Sequence, residues 1–147
     1  MIQNRKATVS DYDMIIKLWE RSVMATHHFL SFKDKEEIKK ELPTYFPHLD
    51  VRLWYTDDSI IGFTAINDNH LEALFLDADK IGKGYGKQIM QSCIDDFGIT
   101  SVDVNKQNEN ATRFYLKSGF VITGEDLTDG AGRPYPILHL KLQDQQK

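Results

Sequence analysis

Three glycines alternate in Gly82-Lys83-Gly84-Tyr85-Gly86, just after a strand-like apolar run and just before a helical repeat. Residues without Cβ turn the chain sharply and let backbone N–H groups converge. A helix that starts there adds its own unsatisfied N–H groups and the positive end of its dipole. Together they make a seat for a phosphate or pyrophosphate. Lys80, Lys83 and Lys87 add positive charge to a chain that is otherwise acidic. Two common phosphate fingerprints fail. A dinucleotide-binding turn needs glycine where Lys87 stands, and a P-loop needs Ser or Thr where Gln88 stands. A plain strand-to-helix turn, with glycines for packing, fits the segment as well as an anion site does.

Several polar residues are spaced for proton transfer. His70 and Glu72 alternate with apolar residues and share a strand face with Leu74 and Leu76, leaving Leu71, Ala73 and Phe75 on the other. Asp103 and Asn105 share a face of a second strand. Any of the four can relay a proton, and the intrinsic pKa of imidazole suits His70 best. Each is also an ordinary polar residue at a strand end. His27 and His28 are adjacent and lack the i,i+4 spacing of a helical metal pair, so no metal is expected. Cys93 lies on an apolar helical stripe with Ile89 and Phe97 and reads as a small core residue.

Downstream, Asn108-Glu109-Asn110-Ala111-Thr112-Arg113-Phe114-Tyr115-Leu116-Lys117-Ser118-Gly119-Phe120 follows an Asn-x-x-Ala-x-x-Phe-Tyr-x-x-x-Gly-Phe pattern. This resembles the second signature of the GCN5-related N-acetyltransferases, the GNAT family. The glycine turn resembles their first signature, (Gln/Arg)-x-x-Gly-x-(Gly/Ala), with one departure: Ile81 stands at the Gln/Arg position. Segments 22–30, 70–75, 104–109 and 132–136 are similar to those of the small bacterial YjaB-type members.

The resemblance implies an acetyl-CoA-dependent N-acetyltransferase in which a primary amine of a peptide, lysine or small molecule attacks the thioester directly in a ternary complex. It implies that backbone N–H groups of Gly82, Lys83, Gly84, Tyr85, Gly86 and Lys87 hold the pyrophosphate. Pantetheine would lie between two splayed strands, against Leu74, Phe75, Leu76 and Asn105, with Asn108, Ala111 and Phe114 beside it. Tyr115 stands where the family often keeps a general acid, and His70 or Glu72 would serve as base. Arg21, His27, Phe29, Asp103 and Tyr135 would line the acceptor mouth. Asn108 is also a natural N-cap, and Tyr115 is also an aromatic on the apolar face with Ala111 and Phe114. A module that binds acyl-CoA without turnover is the alternative. Monomer and homodimer both stay open.

The elements that must position these groups are legible as periodicities. Strands are expected at 2–7, 51–56, 60–66, 70–76, around 102–105, at 120–123 and at 137–142. Asp57-Asp58-Ser59 reads as a hairpin turn, and 129–132 as a loop. A first helix starts at Ser10, with Ser10 and Asp13 as capping box and Met14, Ile15, Leu18, Trp19 and Val23 as its stripe. A second covers 33–42, with Pro43 and Pro47 bracketing its exit. A third carries Ile89, Met90, Cys93, Ile94 and Phe97, and a fourth spans 108–117 with Gly119 closing it. The order is β-α-α-β-β-β-α-β-α-β-β, an α/β mixed sheet of the GNAT type. Its β-α-β unit from His70 to Asn105 is a right-handed parallel crossover.

The chain's 147 residues suit a single domain spanning 1–147. Its 41% apolar and 27% charged residues are those of an ordinary globular fold. A net charge of -4 leaves no basic footprint for nucleic acid. A lone cysteine excludes an internal disulfide. Residues 1–6 lack a signal-like apolar run, and no stretch approaches a membrane span. A cytoplasmic protein that touches neither membrane nor nucleic acid is the expectation; the tail from 143 onward is expected to fray.

Overall fold

A computed structural model describes residues 2–57 and 59–143. Asp58 of the expected hairpin turn and residues 144–147 of the expected frayed tail lie outside the described residues. In chain order the elements are β1 (Gln3–Lys6), α1 (Tyr12–Thr26), α2 (Phe32–Tyr45), β2 (Asp50–Tyr55), β3 (Ile60–Asn67), β4 (His70–Leu76), α3 (Tyr85–Phe97), β5 (Ser101–Asn105), α4 (Glu109–Lys117), β6 (Phe120–Asp126) and β7 (Ile137–Leu142). The strands form one sheet in the order β1-β2-β3-β4-β5-β7-β6. Strands β4 and β5 pair in parallel across the α3 crossover, and the other described pairs are antiparallel.

Alternation along the strands gives the sheet two apolar faces. On one, α1 buries Ile15, Leu18, Trp19 and Val23 against Val51, Leu53, Phe63 and Ala65, with Ile38 and Leu42 of α2 packed at the edge of this cluster. On the other, α3 and α4 bury Ile89, Met90, Cys93 and Tyr115 against Leu71, Val102, Val104, Leu138 and Leu140. Each large side chain taken out of water contributes about 1.5–3 kcal/mol. Met14, expected in the α1 stripe, is 37% exposed at the edge of that contact.

Some boundaries move for local reasons. A 3-10 turn over Val9–Asp11 precedes α1, and the capping box is Thr8 with Asp11 instead of Ser10 with Asp13. Asp11 also holds Arg5 with two hydrogen bonds of 2.9 Å, and that pairing selects it over Asp13. Helix α2 starts at Phe32 because Ser31 caps it, its Oγ accepting from Asp34 N–H. It also runs through Pro43, which does not end it. The next turn closes through Phe46 N–H to the Leu42 carbonyl, and the Phe46 side chain is anchored in the core. Strand β6 extends past Thr123 to Asp126 because a bulge between Ile122 and Gly124 lets it stay paired with β7.

A second bulge changes what faces what. In the β3–β4 register Ala65 opposes Ala73 while Ile66 opposes Leu71, so Glu72 is the extra residue. The alternation expected along β4 therefore breaks at Glu72. Leu71 packs with Leu74 and Leu76 on the α3/α4 side, and Ala73 and Phe75 pack on the α1/α2 side. Leu71 does not share a face with Ala73 and Phe75, and Leu74 and Leu76 do not share one with Glu72.

Candidate active site

The parallel pairing is brief. His70 and Leu71 pair with Ser101 and Val102, and no pair follows, although β4 runs on to Leu76 and β5 to Asn105. Beyond Leu71 the facing edges of both strands are without a strand partner in the sheet. Backbone groups there are free to bond an extended ligand. The wall expected to hold pantetheine is divided by the sheet: Leu74 and Leu76 line one face, Phe75 the other.

At the carboxyl end of β4, a 3-10 turn (Ala78–Lys80) leads into the glycine segment. Gly82 and Gly84 have φ of 81° and 85°, in the left-handed region, and a Cβ on either would meet nothing within 4 Å. Their conformation, not crowding, demands glycine. Gly84 is the N-cap of α3 and offers no capping side chain, so the first N–H groups of α3 stay open. Gly86 lies inside the first turn of α3, where an added Cβ would touch the Phe114 ring at 3.5 Å. Lys83 and Lys87 are exposed, Lys80 is half-buried, and Tyr85 packs on the core beside Leu76. Ile81 is 40% exposed.

Arg21, expected at the acceptor mouth, reaches down from α1 to Asp77. Its Nε and Nη2 donate to the two carboxylate oxygens at 3.0 and 2.7 Å. The pair braces the segment that leads into the glycine turn, and it holds the Asp77 carboxyl below its usual range.

On the α1/α2 face, aromatic rings line one side of the site. His27 meets Phe29 at 5.2 Å and Phe75 at 5.9 Å, and Phe29 meets Tyr135 at 6.1 Å. Burial, with His28 next to it, pushes the His27 imidazole down to about 4, so it is neutral at neutral pH. Tyr135 Oη donates to Asp34 Oδ2 at 2.5 Å and accepts from Ser31 N–H at 3.2 Å. Arg133 binds Glu41 at 2.8 Å and Asp129 at 3.2 Å, tying the β6–β7 loop to α2. A cavity of about 400 Å³ opens beneath α2, lined by Trp19, Tyr45, Phe63, Ala73 and Phe75 with Glu72 among them.

Across β4, β5 and β7 the same face is polar. His70 Nδ1 lies 2.6 Å from Ser101 Oγ. His70 Nε2 lies 3.3 Å from Asp103 Oδ2 and 4.0 Å from Glu72 Oε1. One donor atom from each of His70, Glu72 and Asp103 falls within 4.8 Å of the others. Such a trio of acceptors can hold an ammonium group. The three come from two strands, β4 and β5, that only folding brings together. The other oxygen of Asp103 meets His139 Nδ1 at 2.7 Å, and His139 Nε2 meets Asp126 Oδ2 at 2.9 Å. Ser101, His139 and Asp126 carry no local signal in the sequence. The alternation of 137–142 puts His139 on a polar face, but which strand lies beside β7 is not written there.

The second signature folds as a capped helix. Asn108 Oδ1 accepts from Ala111 N–H at 3.2 Å, the N-cap arrangement. Asn105 Oδ1 accepts from Gln107 N–H at 2.9 Å and its carbonyl from Asn108 N–H, shaping the turn out of β5. Ala111 and Phe114 pack against the α3/α4 core. Tyr115 is buried in that core, its ring 5.2 Å from Phe114 and 6.0 Å from Phe120. Burial raises its phenol well above the usual range, so it keeps its proton. Burial likewise pushes the Cys93 thiol up to about 12, which leaves it an inert core residue.

Comparison with known proteins agrees with this architecture. Residues 15–133 match the family model "Acetyltransferase (GNAT) domain". The peptidyl-lysine N-acetyltransferase YjaB of Salmonella typhimurium is 36% identical over 141 residues, covering 95% of this chain and 97% of the relative. The solution structure of apo YjaB from Escherichia coli superposes with a TM-score of 0.89 at 32% identity, covering 99% of each chain. An N-acetyltransferase of Thermoplasma acidophilum, solved with coenzyme A, shares the fold at a TM-score of 0.67 and 23% identity, over 96% of this chain and 99% of its own. With the family model spanning most of the chain and a relative matched end to end, the protein belongs to the GNAT acetyltransferases.

Proposed function

We propose that this protein transfers the acetyl group of acetyl-CoA to the side-chain amine of a peptidyl lysine, by direct attack in a ternary complex. One observation carries the reading. The parallel strands part after Leu71, with the glycine turn at the end of β4 and the His70–Glu72–Asp103 trio beside the point of parting. The similarity to relatives named as peptidyl-lysine N-acetyltransferases supports the lysine acceptor. The open N–H groups from Gly82 to Lys87 suit a pyrophosphate, with the backbone and nearby lysines acting where Ile81 replaces the family's polar side chain. The unpaired edges of β4 and β5 suit pantetheine.

The polar trio suits a primary ammonium. Two carboxylates and an imidazole that converge within 4.8 Å of one another can share the three N–H donors of one cation. With the His70 proton on Nδ1 and donated to Ser101, Nε2 presents a lone pair. In this reading Glu72 and Asp103 bind the cation; His70 Nε2 or Glu72 takes one ammonium proton, freeing the lone pair that attacks the thioester carbon, and a second nitrogen proton leaves to solvent as the C–S bond breaks. Tyr115 gives its phenolic proton to the departing sulfur. The aromatic wall of His27, Phe29 and Tyr135 would receive the aliphatic stem. The proposal includes a cytoplasmic setting, supported by a lone, free cysteine. No helix among the described residues is long and apolar enough to cross a membrane.

The test follows free thiol release from acetyl-CoA in the presence of a lysine peptide, with mass spectrometry of the peptide. The expected result is acceptor-dependent thiol and one acetyl group on the lysine amine. Cofactor binding with no acceptor-dependent thiol release on any amine would support the binding module instead.

A further inference from the structure

His139 is engaged by a carboxylate at each ring nitrogen. Asp103, its direct cross-strand partner on β5, meets Nδ1 at 2.7 Å. Asp126, two residues beyond its cross-strand partner Gly124 on β6, meets Nε2 at 2.9 Å. A carboxylate only accepts, so both contacts are hydrogen bonds at once only when both nitrogens carry protons. That form is the imidazolium. The surroundings favour it further. The neighbour of Asp126, Glu125, is taken up by Lys106 at 3.2 Å, so it does not compete for the ring. Beyond Asp103 stand His70 and Glu72 on β4. The ring lies over Gly124, where an added Cβ would stand 3.8 Å away in ordinary contact. The pairing with Asp103 and then Asp126 accordingly holds the His139 pKa above its ordinary value.

Asp103 is thereby divided. Oδ1 belongs to His139, and Oδ2 faces His70 and the acceptor trio. Without a donor at Nδ1, the carboxylate is free to rotate or to draw in His70. We propose that His139 is a positioning residue: an imidazolium clamped between Asp103 and Asp126 that keeps one Asp103 oxygen turned to the acceptor amine. This deepens the acceptor assignment above and rests on it. Asp126, whose side chain is 68% exposed, anchors the outer end of the clamp and has no place in the acceptor trio.

The clamp is tested first without turnover. In a proton NMR titration of the whole chain, the His139 ring should titrate above pH ~6.5, the ordinary value, and Asp126→Asn should lower its midpoint. A midpoint at or below the ordinary value in the wild type would overturn the clamp, whatever the enzyme acetylates. The positioning role is then read from kinetics with a lysine peptide. His139→Ala should raise the peptide KM about tenfold or more and leave the acetyl-CoA KM within about twofold. His139→Asn, whose side-chain amide can replace the Nδ1 donor, should restore the peptide KM to within about threefold of wild type. Equal loss in both variants, both folded by circular dichroism, would overturn the role, as would a parallel rise in the acetyl-CoA KM. A wild type inert toward every amine would instead defeat the lysine assignment, and the titration would still decide the clamp.

Discussion

Tyr115 bears two duties in one side chain. Its ring fills the core between Phe114 and Phe120, and its hydroxyl is the proposed proton donor. The variant Tyr115→Phe keeps the ring and removes the proton. It is expected to lower kcat by roughly 10²–10⁴-fold with a peptide KM near wild type. Stopped thiol release measured at saturating acetyl-CoA checks this, and near-wild-type kcat would remove the acid role. Because burial raises the phenol, no loss of activity below about pH 10 should be traceable to this residue. Tyr115 was legible from its place in a local motif. His139 was not, because its meaning comes from Asp103, 36 residues away in sequence and directly opposite in the sheet.

The elements owe their action to two backbone features. One is the left-handed pair Gly82 and Gly84, which aims the N-terminus of α3. Gly84→Ala puts a Cβ where φ is 85°, a strain of about 1–2 kcal/mol. It should weaken acetyl-CoA binding about tenfold by calorimetry, and Gly84→Asn, which visits this region more readily, should do less harm. Gly84→Glu should abolish binding by crowding and repelling phosphates; unchanged affinity in that variant would refute the pyrophosphate seat. The second feature is the close fit of β3 on the end of β4. A Cβ at Gly62 would stand 2.3 Å from the Phe75 carbonyl oxygen, so Gly62→Ala must push the strands apart. It should cost roughly 1–3 kcal/mol in a denaturant melt. Strand existence was legible in this region from apolar alternation. The bulge at Glu72 was not, since it is a relation between β4 and the register of β3, and it reversed the side on which Leu71 was expected.

For the whole molecule, two histidines set opposite limits on stability. His27 has a folded pKa of about 4, below the unfolded value of about 6.5. The unfolded chain takes up the proton first, so the neutral ring's contribution is complete above pH ~6.5 and is lost as pH falls toward 4. Up to about 3 kcal/mol depends on it. His139 is raised, so its contribution is complete below pH ~6.5 and is lost as pH rises through its folded pKa. Thermal melts across pH should show a dome, and His27→Phe should flatten its acid side; an unchanged acid side would contradict the assignment. At this scale the sequence said much. The element order and the parallel crossover followed from periodicity, and the parting of the strands from resemblance to the family. The polar floor was hidden because its members belong to β4, β5, β6 and β7, which become neighbours only in the sheet order β4-β5-β7-β6.

Acetyl-CoA is proposed to lie in the cleft between β4 and β5, with its sulfur within reach of Tyr115. A crystal structure with acetyl-CoA bound decides this. Pyrophosphate oxygens are expected on backbone N–H groups from Gly82 to Lys87, and pantetheine along the unpaired edge of β4 beyond Leu71. The Tyr115 hydroxyl is expected at hydrogen-bond distance from the thioester sulfur, about 3–3.5 Å. A cofactor bound outside the cleft, or a Tyr115 hydroxyl turned away from the sulfur, would contradict it.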